Sequence, residues 1–115
     1  MTAPKFQVIQ PTGVLTGTTA HELSQQFDRC LNENVKIILI DLQATDFIDS
    51  SGLGVLVSLH TKLRLAGGRL YLCAPKEQAL TLFDVSDIDR IFQIFGNREE
   101  FYSIVVRKNQ AVLVQ

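Results

Sequence analysis

The sequence Val35-Lys36-Ile37-Ile38-Leu39-Ile40-Asp41-Leu42, followed by Asp49-Ser50-Ser51-Gly52, determines the fold class. The first stretch is a nearly unbroken apolar run, which is typical of a central strand covered on both faces. The second stretch precedes an amphipathic segment that runs to about Ala66, so a helix is predicted to start at the serines. Gly67-Gly68 is predicted to cap that helix, and residues 69–74 form the next strand. The result is a strand, helix, strand unit with parallel pairing.

The composition is that of a chain about the size of one domain. It has 115 residues, of which 46% are hydrophobic, so one continuous core is expected. The 11 basic and 12 acidic residues are spread along the chain and give a net charge of -1. This balance lacks the positive surface that nucleic acids or anionic membranes attract. We therefore expect protein or small-molecule partners, with no nucleic acid and no direct membrane insertion.

Localisation and cysteine chemistry follow from the apolar pattern. No apolar run approaches the roughly 20 residues that span a bilayer, and residues 1–5 lack the sections of a signal peptide. A cytoplasmic location is expected. Cys30 and Cys73 lie far apart within apolar patterns, so they are predicted to be buried, reduced side chains without a disulfide or metal role.

The segment before the central strand is predicted to contain two short strands and a helix. Residues 6–10 and 13–17 are the strands, joined in a hairpin-like arrangement around Pro11-Thr12-Gly13. Thr19 and Glu22 have the spacing of a capping box at the start of the first helix. Its apolar face is predicted to comprise Ala20, Leu23, Phe27, Cys30 and Leu31.

The segment after residue 74 is predicted to contain two helices and a short strand. Pro75 opens a third helix whose apolar residues are Ala79, Leu80 and Phe83. Residues 91–95 form a short strand. Asn97 caps a fourth helix, which has Glu99 and Glu100 in its first turn and an apolar side of Phe101, Ile104 and Val105.

The order of these elements predicts an α/β fold with a mixed β-sheet of about five strands and about four helices. Residues 1–115 are expected to form a single domain with a core at about 6–105. The tail at 106–115 contains the apolar residues 111–114, which either add an edge strand, pair with another subunit, or form a frayed end. Self-association therefore stays open.

The start of the second helix is the candidate functional site. A helix N-terminus carries free backbone N–H groups and a partial positive charge, so a phosphate on Ser50 or Ser51 is well placed there. The alternative is that the serines only cap the helix, while Gly52 and Gly54 allow close packing of strand, loop and helix.

Several spaced segments resemble those of the STAS domain family. They are residues 37–42, then Phe47-Ile48-Asp49-Ser50-Ser51-Gly52-Leu53-Gly54, then residues 66–70. Leu82-Phe83-Asp84-Val85 and residues 13–23 add to the likeness, which covers about residues 6–105. The resemblance implies a STAS-like single domain. It is closest to the anti-sigma factor antagonist type.

This resemblance implies a phosphorylation switch at Ser51, the serine just before the glycine. In such antagonists the unphosphorylated form binds a kinase-type anti-sigma factor. Phosphorylation of the antagonist ends this binding, and a serine phosphatase restores the unphosphorylated form. Asp49, Ser50 and Gly52 are then the residues that support the phosphosite. The segment 15–18 lacks an aspartate that many antagonists carry there, which leaves the identity of the kinase open.

A docking surface is predicted beside Ser51. On a helical wheel the core face of the second helix comprises Val55, Leu56, Leu59, Leu63 and Ala66. Leu53 and Val57 fall outside that arc and, with Gly54, are predicted to form an apolar partner-binding patch. The alternative is that a neighbouring loop covers both apolar side chains.

Catalysis is not expected. Ser51 lacks the glycine pattern of a nucleophile elbow, and His21 and His60 lack metal-ligand spacing and are predicted to be solvated surface side chains. No metal or cofactor is predicted. Two other functions stay open: a STAS scaffold or transporter-associated subunit that binds constitutively, and a small hydrolase in which Ser51 is the nucleophile.

Overall fold

The computed structural model describes residues 3–114 and places a sheet between helices. Met1, Thr2 and Gln115, which the sequence assigns to the ends of the domain, lie outside the described residues. The strands are β1 (Lys5–Ile9), β2 (Gly13–Leu15), β3 (Ile37–Asp41), β4 (Thr45–Ile48), β5 (Arg69–Cys73), β6 (Ile94–Phe95) and β7 (Val112–Leu113). The α-helices are α1 (His21–Asn32), α2 (Ser50–Leu65), α3 (Glu77–Val85), α4 (Arg98–Phe101) and α5 (Arg107–Asn109). A 3₁₀ turn spans Ile88–Arg90, and a π-helical segment at Tyr102–Val106 joins α4 to α5.

The main sheet has the strand order β6-β5-β3-β1-β7. Its central strand β3 is buried along its whole length, as the apolar run predicts, and pairs with β1 and β5. The predicted α/β fold with a five-stranded sheet is confirmed. The strand direction differs from the prediction of a mixed sheet, because every pairing within the described chain is parallel. Parallel pairing follows from the helical connections, because each helix carries the chain back to the end of the sheet where the previous strand began.

The predicted hairpin between the first two strands is wrong. Strand β2 leaves the sheet and pairs in parallel with β4, forming a separate two-stranded ribbon. Gly13 turns the chain with a φ of 75°, and its N–H donates to the Ala44 carbonyl at 2.9 Å. Leu15 and Ile48 pair on the buried side of the ribbon, and this long-range burial outweighs the local turn signal.

Two apolar clusters lie on opposite faces of the main sheet. Ile38 and Ile40 belong to the cluster beneath α1, α2 and α3, whereas Ile37 and Leu39 belong to the cluster with Phe101 of α4. The alternation arises because successive side chains of a strand point to opposite faces. Since both faces are covered, β3 has to be apolar almost throughout.

The predicted capping box of α1 is wrong. Helix α1 begins at His21, and its N-cap Ala20 has no side chain that can accept a hydrogen bond. The Thr19 hydroxyl instead accepts from the Thr16 N–H at 2.8 Å and donates to the Val14 carbonyl at 2.6 Å. Thr19 therefore stabilises the loop between β2 and α1, not the helix itself.

The ends of two other helices agree with the sequence. Gly67 has a φ of 86°, and the N–H of Gly68 donates to the Leu63 carbonyl at 2.8 Å, so the glycine pair ends α2. The Asn97 side chain caps α4 by accepting from the Glu100 N–H at 2.9 Å. Helix α3 begins at Glu77, two residues later than Pro75.

Several apolar residues of the predicted helices face solvent. Leu80 and Ile104 are 49% and 47% exposed, and Ala66 is also exposed because it lies at the C-terminal end of α2. The predicted strand at 91–95 is shorter, because the 3₁₀ turn at Ile88–Arg90 precedes it and leaves only Ile94–Phe95 in the sheet. Helical spacing identifies the apolar face of a helix. It does not show how much of that face a neighbouring element covers.

The tail adds an edge strand, one of the three predicted outcomes. Strand β7 pairs in parallel with the start of β1, and the Val112 N–H donates to the Pro4 carbonyl at 2.9 Å. Val112 and Leu113 stay exposed. Within residues 3–114 no helix has the length and apolar character needed to cross a membrane.

Candidate functional site

Asp49 caps the N-terminus of α2. Its backbone is extended, with φ -99° and ψ 178°, and its Oδ1 atom accepts from the Gly52 N–H at 2.7 Å. The Leu53 N–H donates to the Asp49 carbonyl at 2.9 Å and closes the first turn. The alternative in which the serines cap the helix is therefore wrong, because the aspartate takes that place and the serines occupy the first turn.

Ser51 is exposed in this first turn. The N–H groups of the first residues of a helix have no carbonyl partner within the helix, so Ser50 and Ser51 lie in its electropositive end. The loop after β2 passes beside the serine: a Cβ placed on Gly17 would lie 3.1 Å from the Ser51 Cβ and 3.8 Å from its Oγ. Glycine at position 17 thus leaves room around the hydroxyl.

Gly52 is required by the approach of β2 to the start of α2. A Cβ at Gly52 would overlap the carbonyl group of Leu15, and the Asp49 N–H donates to the same carbonyl oxygen at 3.3 Å. Gly54 differs, since it is exposed and a Cβ there would meet no atom within 4 Å. Close packing therefore explains Gly52 and does not explain Gly54.

The predicted exposure of Leu53 is wrong. Leu53 is only 7% exposed and belongs to the apolar cluster beneath the helices. Val57 is half-buried and packs against the same cluster, as does Val55. The wheel failed because the β2–β4 ribbon covers the start of α2 from a second direction, so the apolar arc there is wider than further along the helix.

The exposed apolar residues near Ser51 lie on the ribbon instead. Val14 and Phe47 are register partners on β2 and β4, and they are 48% and 44% exposed. Their neighbours Leu15 and Ile48 point inward, so the ribbon presents one apolar pair to solvent. Sequence reasoning missed this pair because nothing within either short strand identifies the other strand as its partner.

Polar contacts fix the chain on both sides of this pair. The Gln78 side chain on α3 accepts from the Ile48 N–H and donates to the Ile48 carbonyl, both at 2.8 Å. Lys76 and Asp46 form an exposed ion pair at 2.6 Å. These contacts hold the end of β4 and therefore the position of Asp49.

A buried polar cluster lies at the carboxyl ends of β3 and β5. Asp41 is 1% exposed, and its Oδ2 atom accepts from Arg98 Nε at 2.6 Å and from Gln10 Nε2 at 3.1 Å. The hydrogen bond to Asp41 raises the pKa of Arg98. Burial, followed by the charge of Asp41, raises the pKa of the Cys73 thiol to about 12. The cluster joins α4 to the sheet.

The two histidines occupy different environments. His21 is exposed, as predicted, but His60 is half-buried with its ring 5.1 Å from that of Phe92 in an edge-to-face contact. Burial lowers the pKa of His60, and the charges of Arg64 and Arg69 lower it further. His60 also lies nine positions beyond Ser51 on α2, about 13 Å along the axis, so it is not placed as a base for that hydroxyl. Residues 3–114 contain no cluster of three or more acidic, histidine or cysteine side chains suited to a metal ion.

The chain belongs to the STAS domain family, whose sequence model matches residues 2–101. Among its relatives, BtrV of Bordetella bronchiseptica, provisionally named an anti-sigma factor antagonist, is 29% identical over 76% of this chain and 75% of its own length. The anti-sigma F factor antagonist of Paenibacillus polymyxa is 26% identical over 78% of each chain.

Solved structures share the fold. The crystal structure of a Thermotoga maritima protein, also provisionally named an anti-sigma factor antagonist, superposes with a TM-score of 0.75 at 26% identity, covering 90% of this chain and 86% of that one. Unphosphorylated SpoIIAA superposes with a TM-score of 0.72 at 20% identity, covering 90% of this chain and 91% of that one. A sulfate transporter family protein from Wolinella succinogenes gives 0.74 at 15% identity, covering 90% and 88%. The last two likenesses concern the fold alone.

Proposed function

We propose that this chain is an anti-sigma factor antagonist that works as a phosphorylation switch and not as an enzyme. Unphosphorylated, it binds a kinase-type anti-sigma factor and so regulates transcription; phosphorylation of Ser51 ends the binding, and a serine phosphatase restores it. The names of the relatives from Bordetella and Paenibacillus support this role. Because the kinase uses cytoplasmic ATP, the proposal places the chain in the cytoplasm.

The exposure of Ser51 in the first turn of α2 is the observation that carries the proposal. A kinase has to reach the oxygen, and the first turn of α2 presents this side chain to solvent while Gly17 leaves space beside it. Asp49 satisfies the Gly52 N–H, so the helix start keeps its form with or without a phosphate. Modification of Ser51 therefore changes a surface and leaves the fold intact.

The partner surface in this proposal combines the ribbon with the start of α2. Val14 and Phe47 supply exposed apolar area, and the strands that carry them lead into the loops on either side of Ser51. Gly54 exposes helix backbone in the second turn and adds a flat contact area. Apolar side chains beside polar ones are the usual composition of a protein interface.

Phosphorylation would weaken binding by electrostatics. A phosphate adds about 1.5 to 2 negative charges at neutral pH, beside the carboxylate of Asp49. The helix N-terminus stabilises that charge in the free protein. A partner that covers Ser51 has to remove water from it, which costs binding free energy. The unphosphorylated state is therefore the binding state.

Phosphorylation by the cognate kinase tests the proposal directly. The purified chain is incubated with ATP and extract of its source organism, and intact mass and peptide mapping locate any phosphate. We expect one phosphate on Ser51, which Ser51→Ala abolishes. Ser50→Ala and Ser58→Ala are matched controls, since both serines are exposed on the same helix, and both variants should still be modified.

Binding to the kinase separates the switch from a constitutive scaffold. A kinase captured with unmodified protein should bind Ser51→Ala as tightly as the original chain and Ser51→Asp about tenfold more weakly. Equal binding by both variants, with no phosphate on Ser51, would favour a STAS scaffold or transporter-associated subunit. Hydrolysis of an activated ester that is lost in Ser51→Ala would show an enzyme instead.

A further inference from the structure

An open cavity lies far from Ser51, between the C-terminal half of α2 and the start of β5. Its volume is about 350 Å³, which is within the range of small-molecule sites. His60 and Arg64 line it from α2, and Arg69 and Tyr71 line it from β5. Arg64 lies thirteen positions beyond Ser51 on α2, about 20 Å along the helix axis. The cavity is therefore separate from the phosphorylation surface.

The charges around this cavity are positive. Arg64 and Arg69 line it, and neither forms an ion pair with a residue in the described chain. Two adjoining cavities of about 340 and 250 Å³ share Arg69 and are lined by Lys108 and Lys36. Among residues 3–114, the formally charged side chains that line these three cavities are all cationic. Such an arrangement attracts anions.

His60 lines the same wall and carries an unsatisfied polar atom. Its Nδ1 atom is buried and has no hydrogen-bond partner within the described residues. Most buried polar atoms in proteins have a partner, and an unpaired one costs stability. The imidazole packs edge-to-face against Phe92, with the two ring centroids 5.1 Å apart.

The remaining wall is partly apolar. Ile91 is 43% exposed and lines the cavity together with Tyr71, while Gln93 supplies an amide that can donate or accept. We propose that this cavity binds a small organic phosphate, with the phosphate group between Arg64 and Arg69 and the organic part against Ile91. Guanidinium groups bind phosphate oxygens through paired hydrogen bonds, which an apolar ligand could not use.

Nitrogen-15 NMR of the whole chain tests the proposal, with inorganic phosphate and phenyl phosphate as probes. Both should produce saturable shifts at the side chains of His60, Arg64 and Arg69. Phenyl phosphate should bind about tenfold more tightly, because its ring covers apolar surface at Ile91. Sodium chloride at matched ionic strength is the control for general salt effects.

Substitution of the arginines locates the site. Arg64→Gln and Arg69→Gln should each weaken phenyl phosphate binding about tenfold, the loss expected for one charged hydrogen bond. Arg29→Gln is the matched control on α1 and should change nothing. The spectra report whether each variant folds. If a glutamine variant does not fold, the lysine variant at the same position, Arg64→Lys or Arg69→Lys, is measured instead. Shifts that do not saturate, that chloride reproduces, or that survive both substitutions would overturn the proposal.

Discussion

The carbonyl group of Leu15 occupies the space that a side chain at Gly52 would need. The same carbonyl oxygen accepts the Asp49 N–H at 3.3 Å, so backbone contacts hold β2 against the start of α2. Backbone cannot move aside as a flexible side chain can. This contact fixes the position of Ser51 relative to the ribbon.

Substitution of Gly52 tests this packing. Gly52→Ala is expected to lower the free energy of unfolding by about 2 kcal/mol or more, because the added methyl group overpacks a rigid contact. Gly54→Ala is the matched control on the same helix: nothing lies within 4 Å, so it should raise stability by about 0.5–1 kcal/mol. Urea denaturation measures both. A stable Gly52→Ala protein would show that β2 does not press on α2.

The pair between Arg98 and Asp41 is expected to stabilise the attachment of α4. Arg98→Met leaves a buried carboxylate without its cation and should cost about 2–3 kcal/mol, less than for a fully buried pair because the Arg98 side chain is 41% exposed. Lys62→Met removes the exposed pair with Asp28 and should cost under about 0.5 kcal/mol. Asp41→Asn combined with Arg98→Met should restore part of the loss. Equal costs for the Arg98 and Lys62 variants would contradict this expectation.

His60 should make stability depend on pH. Its pKa is lowered in the folded protein, so the unfolded chain binds the proton more tightly. Stability should therefore be fully retained above the ordinary pKa of 6.5 and decline as the pH falls through that value towards the folded pKa. His60→Gln should flatten the curve of unfolding free energy between about pH 7 and pH 5. An unchanged slope in the His60 variant would argue against this environment.

Both thiols should be unreactive in the folded state. Burial raises the pKa of Cys30 and brings that of Cys73 to about 12, so little thiolate is present at pH 8. We expect alkylation by iodoacetamide to be about 100-fold slower or more than in urea. Cys30→Ala and Cys73→Ala assign the residual rate to one thiol or the other. Rapid labelling of the folded protein would show that a thiol is accessible.

Phe47 should contribute to partner binding if the proposed function holds. Phe47→Ser removes the larger side chain of the exposed pair and should weaken binding of the captured kinase about tenfold, as expected for an aromatic contact at an interface. Its free energy of unfolding should change by no more than about 0.5 kcal/mol. Leu80→Ser on α3 is the control, because Leu80 is similarly exposed at 49%. Binding that is equal in both variants would place the interface elsewhere.

The central strand and the start of α2 could be predicted from the sequence because each depends on a local signal. The apolar run at residues 37–42 requires cover on both faces, and Asp49 to Gly52 mark a helix start whichever residue makes the cap. Gly67 has a positive φ that only few residue types adopt readily, so the end of α2 was also visible.

Features that depend on distant partners could not be predicted in this way. Strand β2 pairs with β4, about 30 residues away, and this pairing both buries Leu53 and exposes Phe47. Helical periodicity compares positions within one helix and contains no information on a ribbon that packs from the side. The exposed apolar residues near Ser51 therefore lie on the ribbon, and not at Leu53 as helical periodicity predicted.

The two apolar clusters on either side of β3 are insulated from one another by the sheet itself. A change of side-chain volume at Phe101 or Val105 therefore acts first on neighbours of that face, and not on the residues beneath α2. Relatives of this chain can therefore differ in the core residues beneath the C-terminal helices and still keep the same shape around Ser51. Sequence drift in this fold should be fastest on the side away from the serine.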